Sequence, residues 1–308
     1  MNIDRLDPLR ALGIPSSRHF GVEFELTAPR HSLYSSIPEI VSFLQNQGLE
    51  CQYASRTDKR VADYWKVVHD GSISCSRDSP DCLTFELVSP KLKGGSGFKE
   101  VHRALQAVQQ LNPSVNSSAG FHVHIEHSKN DFVGLRKLVQ QFVKYEDVFD
   151  LLLPGSRRGN TNEYCKSIRR TNFAGCNNRD VNEKIHRTRN IRELIHLVNP
   201  QESRYFKLNL VPMLHQGTIE FRLHSATYTY EKASCWILLL MRFTEHACST
   251  AAPDNFMDHR TPKEKFHPMF QWIIKDRYLW EYYLSRTEQV ETTPCCSSCN
   301  LGGMCNSK

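Results

Sequence analysis

No stretch of the 308-residue sequence approaches the run of about twenty apolar residues that a membrane helix needs. The longest, CWILLLM from Cys235 to Met241, predicts a buried helix instead, and no membrane partner is expected. The opening residues, MNIDRLDPLRALGI, carry neither a long apolar core nor a small-residue cleavage site, which makes a cytoplasmic protein the expectation. A Walker phosphate loop is missing as well: KGGSGFKEVHRAL, Lys93 to Leu105, lacks the GxxxxGK[ST] spacing and predicts a strand-to-helix turn. Strong net charge is absent, at +6. The eleven cysteines form no framework: the count is odd, and Cys51, Cys75, Cys82, Cys165, Cys176, Cys235 and Cys248 are scattered, which predicts reduced thiols.

Internal repeats and a long Pro/Gly/Ser linker are also lacking, so residues 1–288 are expected to form one domain. Residues 289–308 lose apolar periodicity and are expected to be a flexible tail. The tail's Cys295, Cys296, Cys299 and Cys305 suit either Zn²⁺ binding or a redox-sensitive or acylated segment.

What is present is strand and helix periodicity without a regular βαβ rhythm. Strands are predicted at 19–26, 64–70, 83–89, 120–126, 205–210 and 217–225; helices at 37–47, 97–111, 131–153, 190–198, 230–247 and 262–284. This mixture favours the α+β class with a largely antiparallel sheet.

Four of the strands share an anomaly. In FGVEFEL, Glu23 and Glu25 lie opposite Val22, Phe24 and Leu26; in GFHVHIE, His122, His124 and Glu126 share one face. In TIEFRLHS the polar face holds Glu220, Arg222 and His224, and in LTFELVS it holds Glu86. A solvated sheet face explains any one of these. Four faces enriched in Glu and His point to metal, because clustered carboxylates repel unless a cation compensates them. Glutamate oxygens with one or two imidazoles suit Mg²⁺ or Mn²⁺ better than a structural Zn²⁺ site. Magnesium commonly bridges carboxylates and substrate phosphates, and nine arginines between residues 155 and 207 favour phosphate contact.

VEFE at 22–25, DGS at 70–72, FELVSP at 85–90, GFHVHI at 120–125 and TIEFRLH at 218–224 occur in the order seen in the amidoligase family, a relative of glutamine synthetase and γ-glutamylcysteine synthetase. The chain resembles that family over roughly residues 19–230. The resemblance implies a curved, largely antiparallel glutamine synthetase-like sheet with helices packed on its outer face. It also implies Mg²⁺ (or Mn²⁺), ATP as co-substrate, and ATP-dependent joining of a carboxylate to an amine through an acyl phosphate. Amino acids, small amines or peptides are the implied substrates.

By the same resemblance, Glu23, Glu25, Glu86, His122 and Glu220 are metal ligands and His124 contacts phosphate. Arg222 steadies the substrate carboxylate or the transferred phosphoryl group, so that Arg222, Glu220 and His124 form the catalytic set. Asp70 either coordinates or shapes a turn. Arg169 and Arg204, near predicted element ends, are the chosen phosphate-binding arginines. Ala119 stands where the family often has Cys, at a position expected to pack.

Two rival readings exist. A metal-dependent hydrolase built on His122 and His124 needs later ligands, for which His215 and His224 are candidates. A nucleic-acid-binding protein would use the arginine segment, but among its arginines, between Arg157 and Arg204, only Tyr164 and Phe173 offer stacking rings, so nucleic acid is not an expected partner.

Overall fold

In the computed structural model, which describes residues 18–58, 60–76, 80–251 and 259–292, the fold is organised around β1 (His19–Pro29). Its Val22, Phe24 and Leu26 are buried in the core, and Glu23 and Glu25 alternate against them on the other face. Chain order continues through α1 (Ile37–Asn46), β2 (Cys51–Ala54), β3 (Trp65–His69), β4 (Cys82–Val88), β5 (Leu92–Lys93) and α2 (Gly94–Gln109). Next come β6 (Gly120–Glu126), α3 (Phe132–Leu151), α4 (Ile168–Asn172), α5 (Asn178–His186), α6 (Ile191–Val198), β7 (Leu208–Asn209) and β8 (Thr218–Ser225). Three helices close the described chain: α7 (Tyr230–Ala247), α8 (Pro262–Met269) and α9 (Arg277–Thr292).

The eight strands form one open sheet in the order β2-β3-β4-β1-β6-β8-β7, with β5 added beside β1. Among these strands of the described residues β2 and β3 pair in parallel and the other pairings are antiparallel. The mixed, mostly antiparallel class agrees with expectation. The path is uncurled, with β2 and β7 as its ends.

Helices α2 and α3 each pack against α7, and α7 packs against β6. Phe24 and Phe121 stack at 4.6 Å between ring centroids, and Phe142, Phe149, Phe221 and Phe243 form an edge-to-face cluster linking α3, β8 and α7. Each fully buried phenylalanine stabilises the fold by about 1.5–3 kcal/mol. CWILLLM is buried within α7, as its apolar run predicts.

Several boundaries differ from the sequence reading. The strand expected at 205–210 shrinks to Leu208–Asn209, a short edge pairing with β8. The helix expected at 262–284 divides: Pro268 lacks the amide donor for an i→i−4 bond, the next turn widens to a π-turn at Phe270–Ile274, and Lys275 takes a left-handed φ of 55° before α9 starts. Helix α9 runs to Thr292, past the expected domain boundary at 288. The tail cysteines lie outside the described residues.

The expectation of reduced thiols is corrected at one place. Cys75 and Cys82 form a disulfide, with Cα atoms 5.7 Å apart. The loop leaving β3 folds back on the first residue of β4, a juxtaposition that spacing alone does not reveal. Cys51, Cys165, Cys176, Cys235 and Cys248 are free thiols. The disulfide removes the thiol-based support for a cytoplasmic location. Among the described residues no helix is long and apolar enough to cross a membrane.

Candidate metal and phosphate cleft

The polar face of the central strands floors a cleft of about 370 Å³. Strand register decides who meets whom: Glu23 pairs with His122, Glu25 with Glu86, and His124 with Glu220. Carboxylates and imidazoles from four strands therefore meet across adjacent ladders. Glu23 Oε2 lies 3.2 Å from His122 Nδ1 and its Oε1 lies 3.1 Å from His124 Nε2. Glu25 Oε1 is 3.6 Å from His122 Nε2, and Glu220 Oε1 is 3.9 Å from both His122 Nδ1 and His124 Nε2.

Two sets of three potential ligands result, Glu23/His122/Glu220 and Glu25/Glu86/His122, each with ligand atoms within 4.8 Å of one another. They share His122, which is 3% exposed. Among the described residues the third such set is His127, Asp131 and Cys248, away from the cleft lining.

The groups around each ligand fix its orientation. Arg222 Nη1 donates to Glu220 Oε1 at 2.5 Å and lies 3.4 Å from His122 Nδ1. Asn209 Nδ2 donates to Glu220 Oε2 at 2.6 Å, the contribution of the short β7 edge. The Gly120 amide donates to Glu25 Oε2 at 2.5 Å. A side chain at Gly120 would bring its Cβ within 2.8 Å of His122 Nε2 and displace that ring from its place beside Glu23 and Glu25.

Electrostatics divide the carboxylates. Burial opposes ionisation of Glu23, but the His124 charge and hydrogen bonds from His122 and His124 outweigh it and hold the carboxyl well below its usual range. Burial, followed by the charges of Glu23 and Glu25, pushes Glu86 well above it. For Glu220, burial is overcome by Arg222 and His124, and its carboxyl is lowered. Burial works against charge on His124, yet Glu23 and Glu220 raise it. Arg222 is likewise raised, burial being outweighed by Glu220.

Asp70 lines the cleft, but its Oδ1 accepts from the Ser72 amide at 2.8 Å and the Ser72 hydroxyl at 2.7 Å, the Asp-Gly turn that the sequence allows. Arg204 also lines the cleft, with its guanidinium 5.4 Å from the centre of the Tyr205 ring. Arg169 does not reach it. Its guanidinium donates to Asn178 Oδ1 at 3.0 Å and to the Cys176 carbonyl at 2.8 Å, beside a separate cavity of about 220 Å³.

A further arginine in the cleft wall is Arg157, one of the nine in the segment 155–207 and not among those chosen from the sequence. It is 3% exposed, donates to the Ala119 carbonyl, and leaves Nε without a partner. Burial lowers its pKa, partly offset by Cys165 and Glu25. Lys66 was missed too: it is buried in the cleft wall and donates to the Asp58 and Arg60 carbonyls at 3.1 and 2.8 Å. An apolar-strand lysine gave the only hint. Glu126, on the same predicted face as His124, is engaged at the rim by Lys91 Nζ and His19 Nδ1, both at 2.8 Å.

His224 requires a correction. The β6–β8 ladder shifts register between Phe121 and Val123, so that His224 pairs with Phe121. Its ring stands edge-on to Phe121 and 4.7 Å from the Trp236 ring of α7, on the core side of the sheet. Neither His224 nor His215 lines the cleft, which leaves a hydrolase without the later ligands it needs. The arginine segment is equally divided: Arg157 is buried, Arg179 and Arg187 pair with Glu183, and Phe173 is buried, away from any stacking role.

Residues 16–244 match the model of a family described as "putative amidoligase enzyme". That span contains every cleft carboxylate and imidazole named above. No curated protein matches the chain.

Proposed function

The chain belongs to the amidoligase family, and on that premise we propose that the cleft is the active site of an ATP- and Mg²⁺-dependent carboxylate-amine ligase, its sheet serving as a glutamine synthetase-like platform. The observation that carries this reading is the pair of ligand sets sharing His122, with Arg222 beside them. The donor set fits the metal: Glu25 and Glu86 oppose each other on adjacent strands, a like-charge pairing that a divalent cation relieves, and the ligand atoms are carboxylate oxygen and imidazole nitrogen.

Glu23, Glu25, Glu86, His122 and Glu220 would hold Mg²⁺ or Mn²⁺. When bound, the metal supplies neutralisation of phosphate charge. The chain's own groups do the rest. His124 and Arg204 meet phosphate oxygens, and Arg157 joins them in place of Arg169. Arg222 grips the substrate carboxylate in a two-point contact. A carboxylate oxygen attacks the γ-phosphorus and ADP leaves; a neutral amine then attacks the acyl carbon, its N–H proton passes to the departing phosphate, and the amide forms. Water has to be kept from the acyl phosphate, which it would otherwise hydrolyse. The substrates are read as an amino acid, small amine or peptide.

The test is a screen of amines and amino acids for amine-dependent phosphate release from ATP, with product mass equal to the condensed pair. Mg²⁺ or Mn²⁺ should be required, and Glu25→Gln should abolish turnover in a folded protein. Turnover that persists in Glu25→Gln, or amide hydrolysis without nucleotide, would overturn the assignment.

A further inference from the structure

The third ligand cluster belongs to neither the cleft nor the proposed reaction. His127 follows β6 directly, Asp131 is the N-cap of α3, and Cys248 is the C-cap of α7. One ligand atom from each lies within 4.8 Å of the other two. His127 is 3% exposed, and its backbone amide is tied to the Gly217 carbonyl at 2.9 Å.

The hydrogen bonds around the cluster leave a ligand atom on each residue for a shared ion, with the Cys248 thiol proton that Nδ1 accepts being the one a metal would replace. His127 Nε2 donates to the Asp131 carbonyl at 2.9 Å, which leaves the Nδ1 lone pair turned toward Cys248 Sγ at 3.7 Å. A metal-bound imidazole ordinarily donates its other N–H to a carbonyl or carboxylate in this way. Asp131 Oδ1 accepts from the Gly134 amide at 2.8 Å as the helix cap, so the second oxygen remains for a ligand role. For bonds of about 2.0–2.3 Å to Zn²⁺, the edge of a ligand tetrahedron measures roughly 3.3–3.8 Å. The Sγ to Nδ1 separation falls in that range. Arg18, the cation nearby, is engaged by Glu245 Oε2 at 2.9 Å and by the Glu126 carbonyl at 2.7 Å.

We propose that His127 Nδ1, Cys248 Sγ and Asp131 Oδ2 form a Zn²⁺ site that staples the end of β6 to the start of α3 and the end of α7. The half-exposed Asp131 side chain opens the site to solvent, so water fills the fourth position. Binding releases the thiol proton to bulk solvent. Thiolate and imidazole separate this site from the cleft, whose ligands are carboxylates and imidazoles and whose lining contains no cysteine. The site fixes the strand that carries His122 and His124, without touching a substrate.

Co²⁺ is the probe, because a thiolate-to-cobalt charge-transfer absorption reports only a cysteine-ligated ion. The full-length chain is used with Cys295, Cys296, Cys299 and Cys305 replaced by serine. One Co²⁺ per chain should give that absorption together with the visible bands of a tetrahedral ion, and Zn²⁺ should displace it. Cys248→Ser should remove the absorption. His127→Gln and Asp131→Asn, which keeps the helix cap, should each weaken binding at least tenfold. Glu23→Gln, in the cleft, should leave the absorption in place. Zn²⁺ should also raise the melting temperature of the parent by more than that of Cys248→Ser, in which only the cleft ligands remain. No charge-transfer absorption, or one that survives Cys248→Ser or His127→Gln, would overturn the site; so would an equal Zn²⁺-induced shift in melting temperature in parent and Cys248→Ser.

Discussion

Arg222 shows how much a single side chain in the cleft is asked to do. It pairs with Glu220, approaches His122, and is 7% exposed with Nε unpartnered. A guanidinium offers two parallel donors to a carboxylate or phosphoryl group, whereas an ammonium offers a point charge. Arg222→Lys should therefore keep the charge and lose the geometry. If the contact tightens in the transition state, kcat and kcat/KM for the carboxylate substrate fall together, by roughly tenfold to a thousandfold. Steady-state kinetics with saturating ATP checks this, and ATP affinity without the second substrate should change little. Near-normal turnover, or a defect in ATP binding alone, would show that Arg222 plays another role. The two-residue spacing of Glu220 and Arg222 made this juxtaposition legible from sequence. Arg157 had no such signal, because its place beside Glu25 depends on the turn after α3.

At the scale of elements, β8 carries the most consequential irregularity. Strict alternation would place His224 on the polar face with Glu220 and Arg222; the register shift instead delivers it to Phe121 and Trp236. Burial there depresses its pKa to about 3, offset in part by the bond to the Ser225 carbonyl. An ordinary histidine in the unfolded chain titrates near about 6.5. The folded state thus favours the neutral ring, so its stabilising contribution is complete above about pH 6.5. It is lost as pH falls from there toward 3, by at most about 1.4 kcal/mol per pH unit. His224→Phe keeps a ring in the aromatic cluster and removes the proton. Its melting temperature should fall less steeply between pH 6.5 and 4 than that of the parent; identical slopes would refute the assignment. The same strand shows why element boundaries were partly readable: β6 and α7 match their predicted limits, while β2, β5, α4 and α5 escaped because short or polar segments carry too little periodicity.

For the whole molecule, the cleft trades stability for chemistry. Glu25 and Glu86 are direct Cα partners on β1 and β4, and like charges placed opposite each other destabilise a sheet. In chelator at neutral pH, Glu86→Gln should melt at or above the parent temperature. Adding Mg²⁺ should then stabilise the parent, by about 2.7 kcal/mol for a site at a hundredfold excess over Kd, and stabilise the variant less, because only the Glu23/His122/Glu220 set stays complete. Thermal melts with and without Mg²⁺ decide it. A Glu86→Gln protein that is markedly less stable in chelator, or that gains as much from Mg²⁺ as the parent, would remove Glu86 from the ligand set.

Side-chain alternation is a local property of extended chain, and it alone determined which residues of VEFE, FELVSP and GFHVHI share a face, hence the Glu and His content of the site and the mixed α/β class. The motif order likewise carried the family. What only the tertiary structure decided are the long-range matters: that Glu25 stands opposite Glu86 and Glu23 opposite His122, that His224 crosses to the core, that Cys75 meets Cys82, and that Arg157 rather than Arg169 enters the cleft. Each of these depends on strand register or on the path of a loop, and both are set by packing between segments distant in sequence, which no window along the chain contains.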